Sequence, residues 1–141
     1  MRFWDASALI PLIVAEDQTD YCLKALKADS EIMVWTLSEV EVCSALCRKH
    51  REGILSEASL ADARARMNQV LGAAFVVAAT TRVEHRALRL LHVHGFRAAD
   101  ALQLAAALVA VQEEIQKMPL MCFDDRLCAA ARREGFIVNP P

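Results

Sequence analysis

Glycine and proline are scarce in this chain, four of each in 141 residues, and aromatic residues make up only 6%. So few turn-formers, set beside abundant alanine, argue against an all-β sandwich or barrel and favour helices. Neither sign of charge dominates: 16 Lys and Arg against 18 Asp and Glu leave a formal net charge of −2. A general positive field for gathering nucleic acid is therefore excluded, and any contact with a polyanion has to be local. No stretch reaches about 18 apolar residues without a charge, so no membrane-spanning helix is expected. The apolar run from Ala6 to Ala15 has Asp5 before it and Glu16-Asp17 after it, with Arg2 as the only early positive residue. Those are the wrong surroundings for a signal peptide. A CxxC pair is missing too. The five cysteines (Cys22, Cys43, Cys47, Cys122, Cys128) are an odd number and read as small buried thiols in a reducing cytoplasm. His92-x-His94 among four scattered histidines does not make a zinc site.

What is present points to a packed domain. A 55% hydrophobic chain with 24% charged residues is not disordered, and at this length about 68–70% of the unfolded surface can be buried without disulfides. One domain over 1–141 is expected. Residues 1–5 read as a strand, 7–14 and 17–28 as helices, and 31–36 as a buried strand. Ser38 has the chemistry of an N-cap for a helix over 39–50, which Gly53 ends, and Ser56 opens another. A strand at 75–78, helices at 81–94 and 98–112, a strand at 118–123, a helix at 125–134 and a strand at 136–138 complete the order. Strands alternating with one or two helices predict a three-layer α/β/α fold whose mainly parallel sheet has four or five strands.

The acids carry the chemistry. Asp5 and Asp124 fall at the ends of predicted strands, where sites form in open parallel sheets. Asp100 stands in a helix that is apolar almost all round, where a lone carboxylate is costly without a partner. Glu41 lies between Val40 and Val42. Each has a plainer reading. Asp5 can cap the first helix with Ser7, and Asp124 or Asp125 can cap the last. Glu41 can sit on a wet helix face, and Asp100 can favour the dipole of a first turn or pair with Arg97. Taken together they call for a common partner, and a divalent cation such as Mg²⁺ accepts several carboxylates.

Phe3-Trp4-Asp5-Ala6-Ser7-Ala8-Leu9, Leu37-Ser38-Glu39-Val40-Glu41-Val42-Cys43-Ser44-Ala45-Leu46, Arg97-Ala98-Ala99-Asp100-Ala101-Leu102-Gln103-Leu104-Ala105 and Cys122-Phe123-Asp124-Asp125-Arg126-Leu127 occur in this order. They resemble the signature segments of PIN-domain ribonucleases, most closely the VapC-type toxins of prokaryotic toxin–antitoxin pairs. The resemblance implies acidic catalytic and metal-holding residues at Asp5, Glu41, Asp100 and Asp124. Ser7 matches the small hydroxyl residue that follows the first acid, and Asp125 is a secondary candidate. It further implies Mg²⁺ or Mn²⁺ as cofactor, single-stranded or looped RNA as substrate, an antitoxin as partner and a homodimer. Cys122 departs from the pattern, because Thr or Ser is common there.

With histidines lacking a pattern, acid–base work by His is not required, and metal-assisted displacement at phosphorus suits the residues. Without metal, converging carboxylates repel, so at least one pKa should rise. Arg82, Arg86 and Arg89 share a predicted helix face, and Arg48, Lys49 and Arg51 follow Glu41; either set suits phosphate, although a solvated face is the plainer reading. A receiver domain fits poorly, because the acidic pair comes late and no Lys follows Lys117. A non-catalytic interaction module and a PIN nuclease of RNA maturation remain as alternatives.

Overall fold

Residues Arg2–Trp4 form strand β1 because Phe3 and Trp4 alternate across it and both faces are covered: each is completely buried, in opposite cores. The computed structural model describes residues 1–112 and 114–140. Beyond β1 the elements are α1 (Ala6–Ile13), α2 (Thr19–Ala28), β2 (Ile32–Trp35), α3 (Ser38–Arg51), α4 (Glu57–Gly72), β3 (Phe75–Val77), α5 (Thr81–Val93), α6 (Ala98–Val111), β4 (Leu120–Met121), α7 (Asp125–Arg133) and β5 (Val138–Asn139). A 3₁₀ turn at Ile115–Lys117 precedes β4.

The strands form one parallel sheet in the order β3-β2-β1-β4-β5. On one face, α1 to α4 pack Leu9, Ile13, Val42, Leu46, Leu60 and Met67 against Trp4, Ile32, Val34 and Met121. On the other, α5 to α7 pack Leu90, Leu104, Leu108 and Leu127 against Phe3, Trp35, Leu120 and Val138. The expected three-layer α/β/α arrangement is thus observed, with helices exchanging faces where the strand order reverses, as right-handed crossovers require. β3 forms an edge, and its Phe75 and Val76 are exposed.

Two local expectations are corrected. Ser38 does not cap α3 from outside; it is the helix's first residue, buried, and its hydroxyl accepts the Trp35 N–H at 3.3 Å. The strand expected over 118–123 is confined to Leu120–Met121. Pro119 has no N–H for the ladder, and beyond Met121 the chain turns so that Cys122 and Asp124 face β1's end. Among the described residues no helix is long and apolar enough to cross a membrane.

Candidate metal-binding cleft

The strand order reverses between β1 and β4, and the crevice beyond their carboxyl ends is where an open parallel sheet places a ligand. Two short connections lead from those strands into helices, and each ends on an acid that caps the helix. Asp5 follows β1 and adopts the extended backbone of an N-cap; its Oδ2 accepts the Ser7 N–H at 2.9 Å and also the Ser7 hydroxyl. The Asp5 N–H donates to Met121 O at 2.9 Å, which fastens the two strand ends together. Asp124 caps α7 in the same way, its Oδ1 accepting the Leu127 N–H at 2.9 Å. The capping readings of both residues are therefore realised, and capping aims both carboxylates at the same crevice.

Asp5, Glu41, Asp100 and Asp124 line a single open cleft of about 480 Å³ together with Ser7, Ser44, Arg48 and Gln103. Glu41 arrives from α3, where Val42 turns into the core while Val40 stays exposed, so the carboxylate is carried on the boundary between the two. Asp100 arrives from the first turn of α6. Most of that helix is buried, but Asp100 itself is half-buried, and its Oδ2 lies 3.4 Å from the Arg97 backbone N–H rather than on the guanidinium.

Two of the four acids are held above their ordinary range, and at one of them the charge of its neighbours contributes. Glu41 is pushed up from an ordinary 4.5 to about 7, first by burial and then by the negative charges of Asp5 and Asp100. Asp5 is also raised: burial outweighs the hydrogen bonds from Ser7 and Cys122 that favour its ionised form. The rise expected for converging carboxylates is thus found.

Cys122 stands inside this arrangement, 1% exposed. Its thiol donates to Asp5 Oδ2 at 3.6 Å and its sulfur accepts the Asp124 N–H at 3.3 Å, so it occupies the place between the two strand-end acids. Burial, and next the Asp5 charge, hold the thiol in its neutral form.

The donor set is four carboxylates with hydroxyl and amide oxygens beside them, which suits a hard cation such as Mg²⁺ or Mn²⁺ and not a thiophilic one. Among the described residues no three Asp, Glu, His or Cys side chains are already closed into a cation-holding group. The residues fit such an ion through their charge: a cation relieves the repulsion that Glu41 feels from Asp5 and Asp100.

The remaining candidates separate cleanly. Arg48, two turns after Glu41 on α3, lines the cleft. Asp125 is exposed on the first turn of α7 and is not among the residues lining it. Arg51 is exposed at the end of α3. Arg82, Arg86 and Arg89 line a different groove on α5 with His85 and Val109, and Arg89 pairs with Glu134 at 2.7 Å. His94 is likewise structural, 2.9 Å from Glu134. Trp4 and Trp35 are core residues, whereas Tyr21 packs edge-on against Phe123 with ring centroids 6.3 Å apart. Ser44 and Gln103 are cleft residues that the sequence reading passed over. Gln103 had a usable signal, being the only polar residue besides Asp100 in the run Ala98–Leu108.

Known proteins resemble the chain over nearly its full length. The PIN domain family matches residues 2–133. Two proteins of Mycobacterium tuberculosis named Ribonuclease VapC45 and Ribonuclease VapC49 are each 30% identical over 138 residues, covering 98% of this chain and 94% of the relative. Among solved structures, M. tuberculosis VapC20, described as a sarcin-ricin loop cleaving toxin, superposes with a TM-score of 0.68 at 22% identity over 97% of each chain. A toxin–antitoxin complex from Klebsiella pneumoniae superposes with a TM-score of 0.65 at 17% identity, covering 92% of this chain and 91% of the other. These two likenesses establish the fold.

Proposed function

Because this chain belongs to the PIN-domain family, we propose that it is a divalent-metal-dependent endoribonuclease acting on single-stranded or looped RNA, and the toxin of a toxin–antitoxin pair. The observation that carries the reading is the convergence of Asp5, Glu41, Asp100 and Asp124, from four separate segments of sequence, on one cleft. In this reading all four are catalytic and hold Mg²⁺ or Mn²⁺, and residues 1–141 act as one domain.

A divalent cation held by Asp5, Glu41, Asp100 and Asp124 would activate water and neutralise charge on the phosphate during in-line displacement. The chain's own residues do the rest. Asp5 and Asp124 are fixed by their capping bonds, so little reorganisation is needed on loading. Ser7 orients the Asp5 carboxylate. Arg48 meets an RNA phosphate at the rim, where a guanidinium is the suitable shape. Asp125 and Arg51, both exposed, lie outside the cleft, and Arg82, Arg86 and Arg89 belong to a separate groove, so none of them is given a part at the scissile phosphate. An antitoxin segment reaching the cleft would need a positive group to satisfy the four acids. A homodimer in a reducing cytoplasm completes the proposal. Its support is the exposed apolar set Tyr21, Leu23, Leu37, Val40 and Ile54 in the first half of the chain, and five free thiols.

The test is incubation of the purified protein with structured and unstructured RNAs in Mn²⁺, Mg²⁺ or EDTA, beside Asp5→Asn. Cleavage that needs the metal and is lost in the variant is expected. RNA left intact in every lane would leave a binding role only.

A further inference from the structure

Gln103 sits one helical turn after Asp100 on α6, on the same side of the helix, and lines the acidic cleft. Its side chain is 2% exposed, yet neither Nε2 nor Oε1 has a hydrogen-bond partner among the described residues. A buried carboxamide left unsatisfied carries the full desolvation penalty of its polar atoms. Such a group in a native core calls for an explanation. Structural use does not supply one here, since leucine or methionine would fill the position without the cost. The neighbours on α6, Leu102 and Leu104, are apolar, and the four carboxylates are the charged groups of the same wall besides Arg48.

We propose that Gln103 is a positioning residue of the cation site, its amide hydrogen-bonding the hydration shell of a divalent ion held by the carboxylates. The inference rests on the metal-dependent reading of the cleft and adds to it an outer-shell contact that sequence patterns of acids do not contain. An amide suits this place because it is uncharged: it adds no repulsion to a wall where Glu41 already feels both Asp5 and Asp100. It offers an acceptor towards water protons and donors towards the carboxylates or the phosphate. No group among the described residues takes these valences, so they are available to the ion's hydration shell on loading. Outer-shell partners of this kind contribute about 10- to 100-fold in metal affinity.

The test compares wild type, Gln103→Met and Gln103→Glu in the full chain, with Mn²⁺ alone as probe. Binding is read by calorimetry or by the loss of the free-ion electron paramagnetic resonance signal, and metal-free melting temperature is read in parallel. Met keeps the volume and removes the polar atoms. The expected result is a metal-free melting temperature equal to or above wild type, with Mn²⁺ affinity weakened by about 10-fold or more. Glu keeps an acceptor oxygen, so it is expected to retain wild-type Mn²⁺ affinity or better while melting lower without metal. A Met variant that binds Mn²⁺ like wild type overturns the proposal and leaves the nuclease reading standing. So does a Met variant whose metal-free melting temperature falls, because the amide then has a structural partner. Wild-type protein that binds no Mn²⁺ overturns both.

Discussion

The Phe123 backbone N–H donates to Ser7 Oγ at 2.9 Å, joining the start of α1 to the loop after β4 across 116 positions of sequence. The same hydroxyl donates to Asp5, so one small side chain holds the two acid-bearing connections in register. Ser7→Ala leaves a partly buried N–H and a carboxylate oxygen short of a partner. A loss of about 1–3 kcal/mol in urea unfolding is expected, together with slower RNA cleavage. Unchanged cleavage with lowered stability would reduce Ser7 to a structural tie between the two connections.

Asp5→Asn should separate catalysis from folding. Asparagine is as good an N-cap as aspartate, so the fold is retained. A ligand carboxylate should matter more than an outer-shell partner, and a fall in Mn²⁺-dependent cleavage beyond about 100-fold is expected. Activity within a few-fold of wild type would remove Asp5 from the metal set.

Without metal, stability should fall as pH rises from 4.5 towards 7. Glu41 titrates near 4.5 when unfolded and about 7 when folded, so across that window the native state binds the extra proton. The protonated form is favoured at the low end, and its advantage is lost as pH passes the folded value. Glu41→Gln should flatten this part of a melting-temperature profile and melt higher than wild type at pH 8 in EDTA. A slope that survives the substitution would place the titration elsewhere.

Arg48→Ala should weaken RNA binding in a background made inactive by Asp5→Asn. One phosphate contact fewer lowers the slope of log affinity against log salt by about 0.7 for a single strand. Arg82→Ala, on the α5 groove, should leave that slope unchanged. Equal effects would put the RNA path over both faces.

Glu134→Gln addresses the fold away from the cleft. Burial raises the Glu134 carboxyl, but hydrogen bonds from His94 and Arg89 outweigh it and hold the pKa below its ordinary value of 4.5. The stability it contributes is thus present above pH 4.5 and lost on acidification. A destabilisation of about 1–3 kcal/mol at pH 7 is expected, with cleavage per folded molecule unchanged.

Most elements were legible because their signals are local. Alternation at Phe3-Trp4, the apolar run Ile32–Trp35 and helix stops at Gly53 and Gly135 each depend on neighbours within a few residues. Ser38 opens α3 instead of capping it because its hydroxyl is taken by the Trp35 N–H three residues upstream, a local competitor that a capping rule does not contain. The four acids were legible as a set only because a lone carboxylate at a strand end or in an apolar helix is anomalous. Gln103 was a weaker sign, a polar residue in an otherwise apolar run, since an uncharged amide in an alanine-rich helix also looks like an ordinary helix former. What singles it out is the emptiness around its amide, which only the packed structure reveals.

The sheet order gives the chain a timetable. β1 lies at the centre of the sheet although it is first in sequence, and its neighbour β4 comes from the last quarter. During synthesis Asp5, Glu41 and Asp100 emerge before Asp124, and β4, the strand that brings Asp124 alongside Asp5, follows β1, β2 and β3. A half-made chain therefore carries an incomplete acidic set. Any RNA-cutting capacity of the cleft therefore waits for the segment that carries Asp124.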